Sequence, residues 1–122
     1  MSQLKKRHCK RFSIPGTVVS FKRRTWFLQR KQLREDIYPV VDLSKGGLKF
    51  LCDQRLKPGA RIVTRITIPG HEQLLDVMAS VRWIAKNPEQ SYKYQIGISF
   101  NPYGQGRNLN NEQVLQFFES LE

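Results

Sequence analysis

No stretch of the sequence approaches the roughly 20 consecutive apolar residues that a membrane-spanning helix requires. The opening residues, Met1-Ser2-Gln3-Leu4-Lys5-Lys6-Arg7, have no apolar segment behind their charges, so a secretory signal is not expected and a cytoplasmic location is. Cysteine is scarce. Cys9 and Cys52 form no CxxC pair, and only His8 lies near either, a pattern that predicts two reduced thiols rather than a disulfide or a metal site. His8 and His71 stand far apart without a triad pattern around them, so no enzyme is expected. Repeats, low-complexity tracts and Pro/Gly/Ser-rich linkers are also missing. A chain of 122 residues undivided by linkers predicts one domain with a modest core.

Acidic residues are missing from one part of the chain. Residues 1–34 hold 11 Lys or Arg and no Asp or Glu, whereas the remainder holds ten of each sign. The whole formal charge of +11 therefore sits in the first quarter. Such an imbalance points to an anionic partner: a phosphodiester, a nucleic acid or a membrane surface. Residues 1–11, polar and basic, are unable to bury themselves and read as a flexible arm, with the folded domain over 12–122.

Beyond the Pro15-Gly16 turn signal the chain is rich in β-branched and aromatic residues. Strands are predicted at 17–21, 38–43 (Pro39 marking a start or an edge), 48–51, 61–68, 74–84 and 92–100. The fourth alternates cleanly, with Ile62, Thr64, Ile66 and Ile68 on one face. Trp83, inside the fifth, is expected in the core. Residues 22–36, basic around Trp26, Phe27 and Leu28, fit either a long hairpin loop or a short helix; Trp26 and Phe27 would stack on bases or pack onto the domain. Val114, Leu115, Phe117, Phe118 and Leu121 recur at helical spacing over 111–121, and Asn110 with Gln113 resembles a capping box. Glu112 and Glu119 read as ordinary solvent-facing charges on that helix. Six strands and a terminal helix suggest an antiparallel barrel or sandwich, the helix stripe covering its core.

Two motifs carry the chemistry. Arg7-His8-Cys9-Lys10-Arg11 is an RxxxR before the first strand, and Asp42-Leu43-Ser44-Lys45-Gly46-Gly47 is a DxSxxG between the second and third. Alone, the latter could be a hairpin turn whose Asp and Ser cap backbone groups and whose Gly supplies a positive φ. In this order, and with Leu56-Lys57-Pro58-Gly59, Val81-Arg82-Trp83 and Tyr94-Gln95-Ile96-Gly97-Ile98-Ser99-Phe100 downstream, the chain resembles the PilZ family over about residues 5–101. The resemblance implies a six-stranded antiparallel β-barrel with a short C-terminal helix, no catalysis, and binding of the bacterial messenger cyclic di-GMP through the two motifs. The segment 22–36 departs from it as a longer and more basic first connection.

The implied site has a physical logic. Guanidinium is planar and permanently charged, and it forks onto phosphate oxygens or onto guanine O6 and N7. That suits Arg7 and Arg11. Asp42 is an acceptor for guanine N1–H and N2–H2, and the Ser44 hydroxyl for phosphate or guanine. Gly46 and Gly47 would admit the ligand to the backbone and offer N–H donors. Lys6 is a further candidate, for a second, stacked ligand molecule. No other cofactor and no metal is expected. Any output would pass through an effector protein. The rival from a different class is a basic barrel that binds single-stranded nucleic acid, and a third is a PilZ scaffold that binds only protein.

Overall fold

A sheet whose strands each carry one apolar face hides that face fully, and loses its free edges, when it closes on itself. The strands of this chain do so. The computed structural model describes residues 10–23, 36–89 and 91–121. Among these, β1 (Val18–Arg23), β2 (Tyr38–Ser44), β3 (Gly47–Cys52), β4 (Arg61–Thr67), β5 (Leu75–Lys86) and β6 (Tyr94–Phe100) precede one helix, α1 (Glu112–Ser120). The strands form a closed barrel in the order β1-β2-β3-β6-β5-β4, with every neighbouring pair antiparallel. No helix among the described residues is long and apolar enough to cross a membrane.

The alternation in β4 sets the inside and the outside. Ile62, Thr64 and Ile66 have no exposed surface, and Arg61, Arg65 and Thr67 face water. Thr64 is polar, but its hydroxyl donates to the Val77 carbonyl at 2.9 Å, so its burial leaves that group paired. Leu43, Leu48, Phe50, Val77 and Ile96 fill the rest of the interior. Each fully buried side chain of this kind stabilises the fold by about 1.5–3 kcal/mol. Pro39 sits near the start of β2, where the β1–β2 ladder covers two pairs, Val18 with Pro39 and Val19 with Tyr38.

The stripe on α1 packs on the barrel. Phe118 is fully buried and stacks on Phe100, ring centroids 5.5 Å apart. Phe117 meets His71 edge-on at 5.3 Å. The cap lies one residue later than the sequence pattern suggests: Asn111 is the N-cap, and its side chain accepts from the Gln113 N–H at 2.7 Å. Asn110 is unavailable for capping because it is 3% exposed and its amide is taken by the barrel. Its Oδ1 accepts from Met78 N–H at 2.8 Å, and its Nδ2 donates to the carbonyls of Met78 and Asn101, each at 3.0 Å.

Trp83 is the clearest departure from expectation. It lies outside the core, 42% exposed, because β5 carries a bulge between Val81 and Trp83 that breaks the two-residue period. Its indole lies over Gly97 of β6, where any Cβ would collide with the ring. β1 runs on to Arg23. The choice between loop and helix for 22–36, and with it the placement of Trp26 and Phe27, falls on residues 24–35, outside the described residues.

Candidate functional site

β2 carries the second bulge of the barrel. Val40 pairs with Phe50 but Asp42 pairs with Lys49, so Val41 is the extra residue. A bulge re-aims the side chains around it. Here it sets Asp42 on the outer face opposite Lys49, with Nζ 3.8 Å from Oδ2. The chain ahead of β1 closes the gap beside β2. Phe12 and Leu43 exchange backbone hydrogen bonds of 3.0 and 2.9 Å, and the Ser13 hydroxyl donates to the Val41 carbonyl at 2.6 Å. Arg11 is thereby brought beside Asp42, and its Nη1 donates to Oδ1 at 2.8 Å. Both side chains keep contact with water, at 49% and 22% exposure, so this is a surface pair worth no more than about 1 kcal/mol.

The β2–β3 turn is built around Ser44, which is buried. Its Oγ accepts from Gly46 N–H at 3.1 Å and donates to the Gly47 carbonyl at 3.4 Å. Neither Gly46 nor Gly47 has a positive φ, so the alternative of a plain hairpin turn whose Gly supplies one does not describe this turn. Gly47 is required for another reason: a Cβ there would run into the backbone carbonyl of Ile98 on β6. The turn is also tied from behind. Tyr103 OH donates to the Lys45 carbonyl at 2.6 Å, and Phe100 N–H to that of Gly46 at 2.9 Å. Lys45 Nζ reaches Glu119 of α1 at 3.2 Å, so Glu119 holds helix to turn rather than facing solvent alone.

Arg11, the last residue of the RxxxR motif, therefore lies beside Asp42, the first residue of the DxSxxG motif. The PilZ domain family matches residues 5–117. The chain belongs to the PilZ family. Among solved structures this PilZ domain is similar to the Bacillus subtilis inhibitor of motility, MotI/DgrA (18% identity, TM-score 0.62, covering 94% of this chain and 50% of that one). It is also similar to Escherichia coli YcgR in complex with c-di-GMP (17%, 0.63, 95% and 46%) and to the PilZ domain of E. coli YcgR with c-di-GMP (16%, 0.62, 95% and 91%). At these identities the likeness is one of fold. The chain spans about half the length of the first two and nearly all of the third. No curated protein sequence matches it.

Of the residues assigned to the PilZ site, Arg11, Asp42, Ser44, Gly46 and Gly47 come together around β2 and its turn. Arg7 and Lys6 lie outside the described residues. Two further residues belong to the same face. The strand registers place Asp42, Lys49, Gly97 and Trp83 side by side across β2, β3, β6 and β5. Three strand spacings make this row about 14 Å long. It runs from a carboxylate between two cations to an indole lying flat on a glycine. Lys49 was legible in principle, since a two-residue turn sets it nearly opposite Asp42. Trp83 was hidden by the bulge.

Cys52 is a free, fully buried thiol, and burial pushes its pKa up, as it does that of the neighbouring Tyr38. No cluster of three or more His, Cys, Asp or Glu side chains among the described residues is placed to hold a metal ion.

Proposed function

We propose that this PilZ domain is a cytoplasmic, non-enzymatic receptor for cyclic di-GMP and passes the signal to an effector protein. The observation that carries the reading is the meeting of Arg11 with Asp42 on the outer face beside the Ser44–Gly47 turn. Two of the similar structures hold c-di-GMP, which supports it.

The ligand brings two phosphodiesters and two guanines. In its absence Arg11 rests on Asp42, and a surface pair of this kind is given up at a cost of at most about 1 kcal/mol. Once freed, Asp42 accepts from guanine N1–H and N2–H2. Arg11, joined by Arg7, forks onto phosphate or onto guanine O6 and N7. The Ser44 hydroxyl and the backbone around Gly46 and Gly47 complete the contacts. Trp83 offers its open indole face to a base, and Lys6 stands ready for a second ligand molecule. Ligand binding orders the arm over residues 1–11 across the bound dinucleotide, and the covered face is what the effector reads.

Calorimetric titration of the purified chain with cyclic di-GMP, with GMP and a single-stranded oligonucleotide as controls, tests the reading. Each charge-assisted contact is worth about 1.5–3 kcal/mol. Arg7→Ala and Arg11→Ala are therefore each expected to weaken binding by about tenfold or more. Near-wild-type affinity in both variants would sink the clamp. Binding of the oligonucleotide with no response to cyclic di-GMP would transfer the site to nucleic acid.

A further inference from the structure

At the barrel end away from the Asp42–Gly47 turn, the connection from β3 to β4 folds back onto β5. Gly59 N–H donates to the Val81 carbonyl at 2.7 Å, and Val81 N–H to that of Ala60 at 2.9 Å. Between this connection and the end of β1 lies a groove of about 580 Å³, within the range of binding clefts. Leu56, Pro58, Ala60 and Ile84 form its aliphatic lining, and Arg23, Arg55 and Lys57 its remaining wall. Among the described residues no acidic side chain lines it. The three cations are exposed, and none of them is in a salt bridge among the described residues. The receptor face uses none of these residues.

We infer that this groove docks an acidic segment of a partner protein, with carboxylates on Arg23, Arg55 and Lys57 and an apolar side chain seated against Leu56, Pro58 and Ile84. Unopposed cations at a rim steer a complementary anion and fix its register, and a desolvated apolar anchor holds it. The lining favours a peptide over the other anionic partners. Its described walls carry no aromatic ring on which a base would stack, which single-stranded nucleic acid needs. It is concave, whereas a bilayer meets raised surfaces. A second copy of a chain with a charge of +11 is repelled.

The test uses the full chain and the peptide acetyl-Glu-Asp-Glu-Leu-Phe-Asp-Glu-amide, followed by NMR of the isotope-labelled protein. Saturable shifts are expected at Ala60 and Ile84. The charge reversal Arg55→Glu/Lys57→Glu should weaken binding by about tenfold or more, as should replacing Leu-Phe in the peptide by Ser-Ser. Both substituted positions are exposed. The single Lys57→Gln, expected to weaken binding severalfold, replaces the pair if the double variant loses its native spectrum. Arg11→Ala should leave the peptide affinity unchanged, so failure here and failure of the cyclic di-GMP reading are separable. The inference is overturned by the absence of saturable shifts, by shifts centred on the β2–β3 turn, or by affinity indifferent to the charge reversal or to the apolar pair. It is equally overturned if anionic phospholipid vesicles or an oligonucleotide bind the groove while the peptide does not.

Discussion

Gly47 has a structural role that can be separated from any ligand contact. The Gly47→Ala variant places a Cβ against the Ile98 carbonyl oxygen, with the Ile98 carbonyl carbon at 3.2 Å and the Ser99 Cα at 3.3 Å close behind. All three atoms belong to the backbone of β6, so no rotamer change relieves the overlap. β3 and β6 must part by about 1 Å to restore ordinary contact distances. The hydrogen bond from Phe100 N–H to Gly46, now 2.9 Å, lies beside that pair and is the first to suffer. Losing one such bond costs about 1 kcal/mol net, and stranding a buried partner adds about 1–3 kcal/mol. The expected destabilisation is about 2–4 kcal/mol, a large part of a total stability of about 5–15 kcal/mol. For a domain of this size that lowers the melting temperature by about 10 °C. Urea unfolding and thermal melts followed by circular dichroism measure it. Gly59→Ala is the control: φ is +94° there but nothing lies within 4 Å of the added carbon, so the cost is limited to about 1–2 kcal/mol of backbone strain. A Gly47→Ala melt within about 2 °C of wild type would refute the collision. Unchanged stability with lost ligand affinity would assign Gly47 to the ligand instead.

Trp83→Ala should leave the fold intact, because the ring lies outside the core. Losing a base-stacking surface worth about 1–3 kcal/mol should weaken cyclic di-GMP binding by about five- to a hundredfold, read by the same calorimetry; unchanged affinity would remove Trp83 from the site. Asp76 is held below the usual carboxylate range, first by its hydrogen bond from Arg65, Nε to Oδ1 at 2.7 Å. A folded-state pKa depressed in this way adds stability above the unfolded value of about 3.9, and the gain disappears as pH falls through the lower folded value. Asp76→Asn should therefore cost up to about 1 kcal/mol at pH 7, since the pair is half exposed, and nothing in acid below the folded pKa. A difference that persists there in urea unfolding would contradict the pair. Cys52, buried and with its pKa raised, should resist alkylation at pH 8 and react only in denaturant, as followed by peptide mass spectrometry.

Much of the barrel was legible because burial imposes a period that the chain displays. Arg61 to Ile68 alternates as one wall of a barrel must, and the spacing of Val114, Phe117, Phe118 and Leu121 predicts the helix. Period-based reasoning failed where the period itself is broken. At Trp83 the bulge in β5 places two successive side chains outside, and nothing local distinguishes that tryptophan from a buried one. At Asn110 the helix-start pattern was sound, but tertiary contacts claimed the side chain and passed the cap to Asn111. The motif residues of the candidate site stand out in the sequence, but what supports them does not. Arg11, Asp42 and Ser44 belong to two motifs, whereas the tether of Lys45 to Tyr103 and Glu119 joins residues 58 and 74 positions apart, beyond the reach of any local pattern.

The closed ladder also limits how this domain is able to signal. A ring of hydrogen-bonded strands filled by Phe50, Ile62, Ile66 and Ile96 is stiff, because a close-packed interior resists small displacements. Among the described residues the packed interior leaves the ring little room to bend around a ligand. A bound dinucleotide would leave the contour of the barrel unchanged and alter what is laid upon it. On the proposed reading the message would be written on the outside, as a composite patch of nucleotide and arm, and a partner would recognise that patch rather than any motion in the scaffold beneath.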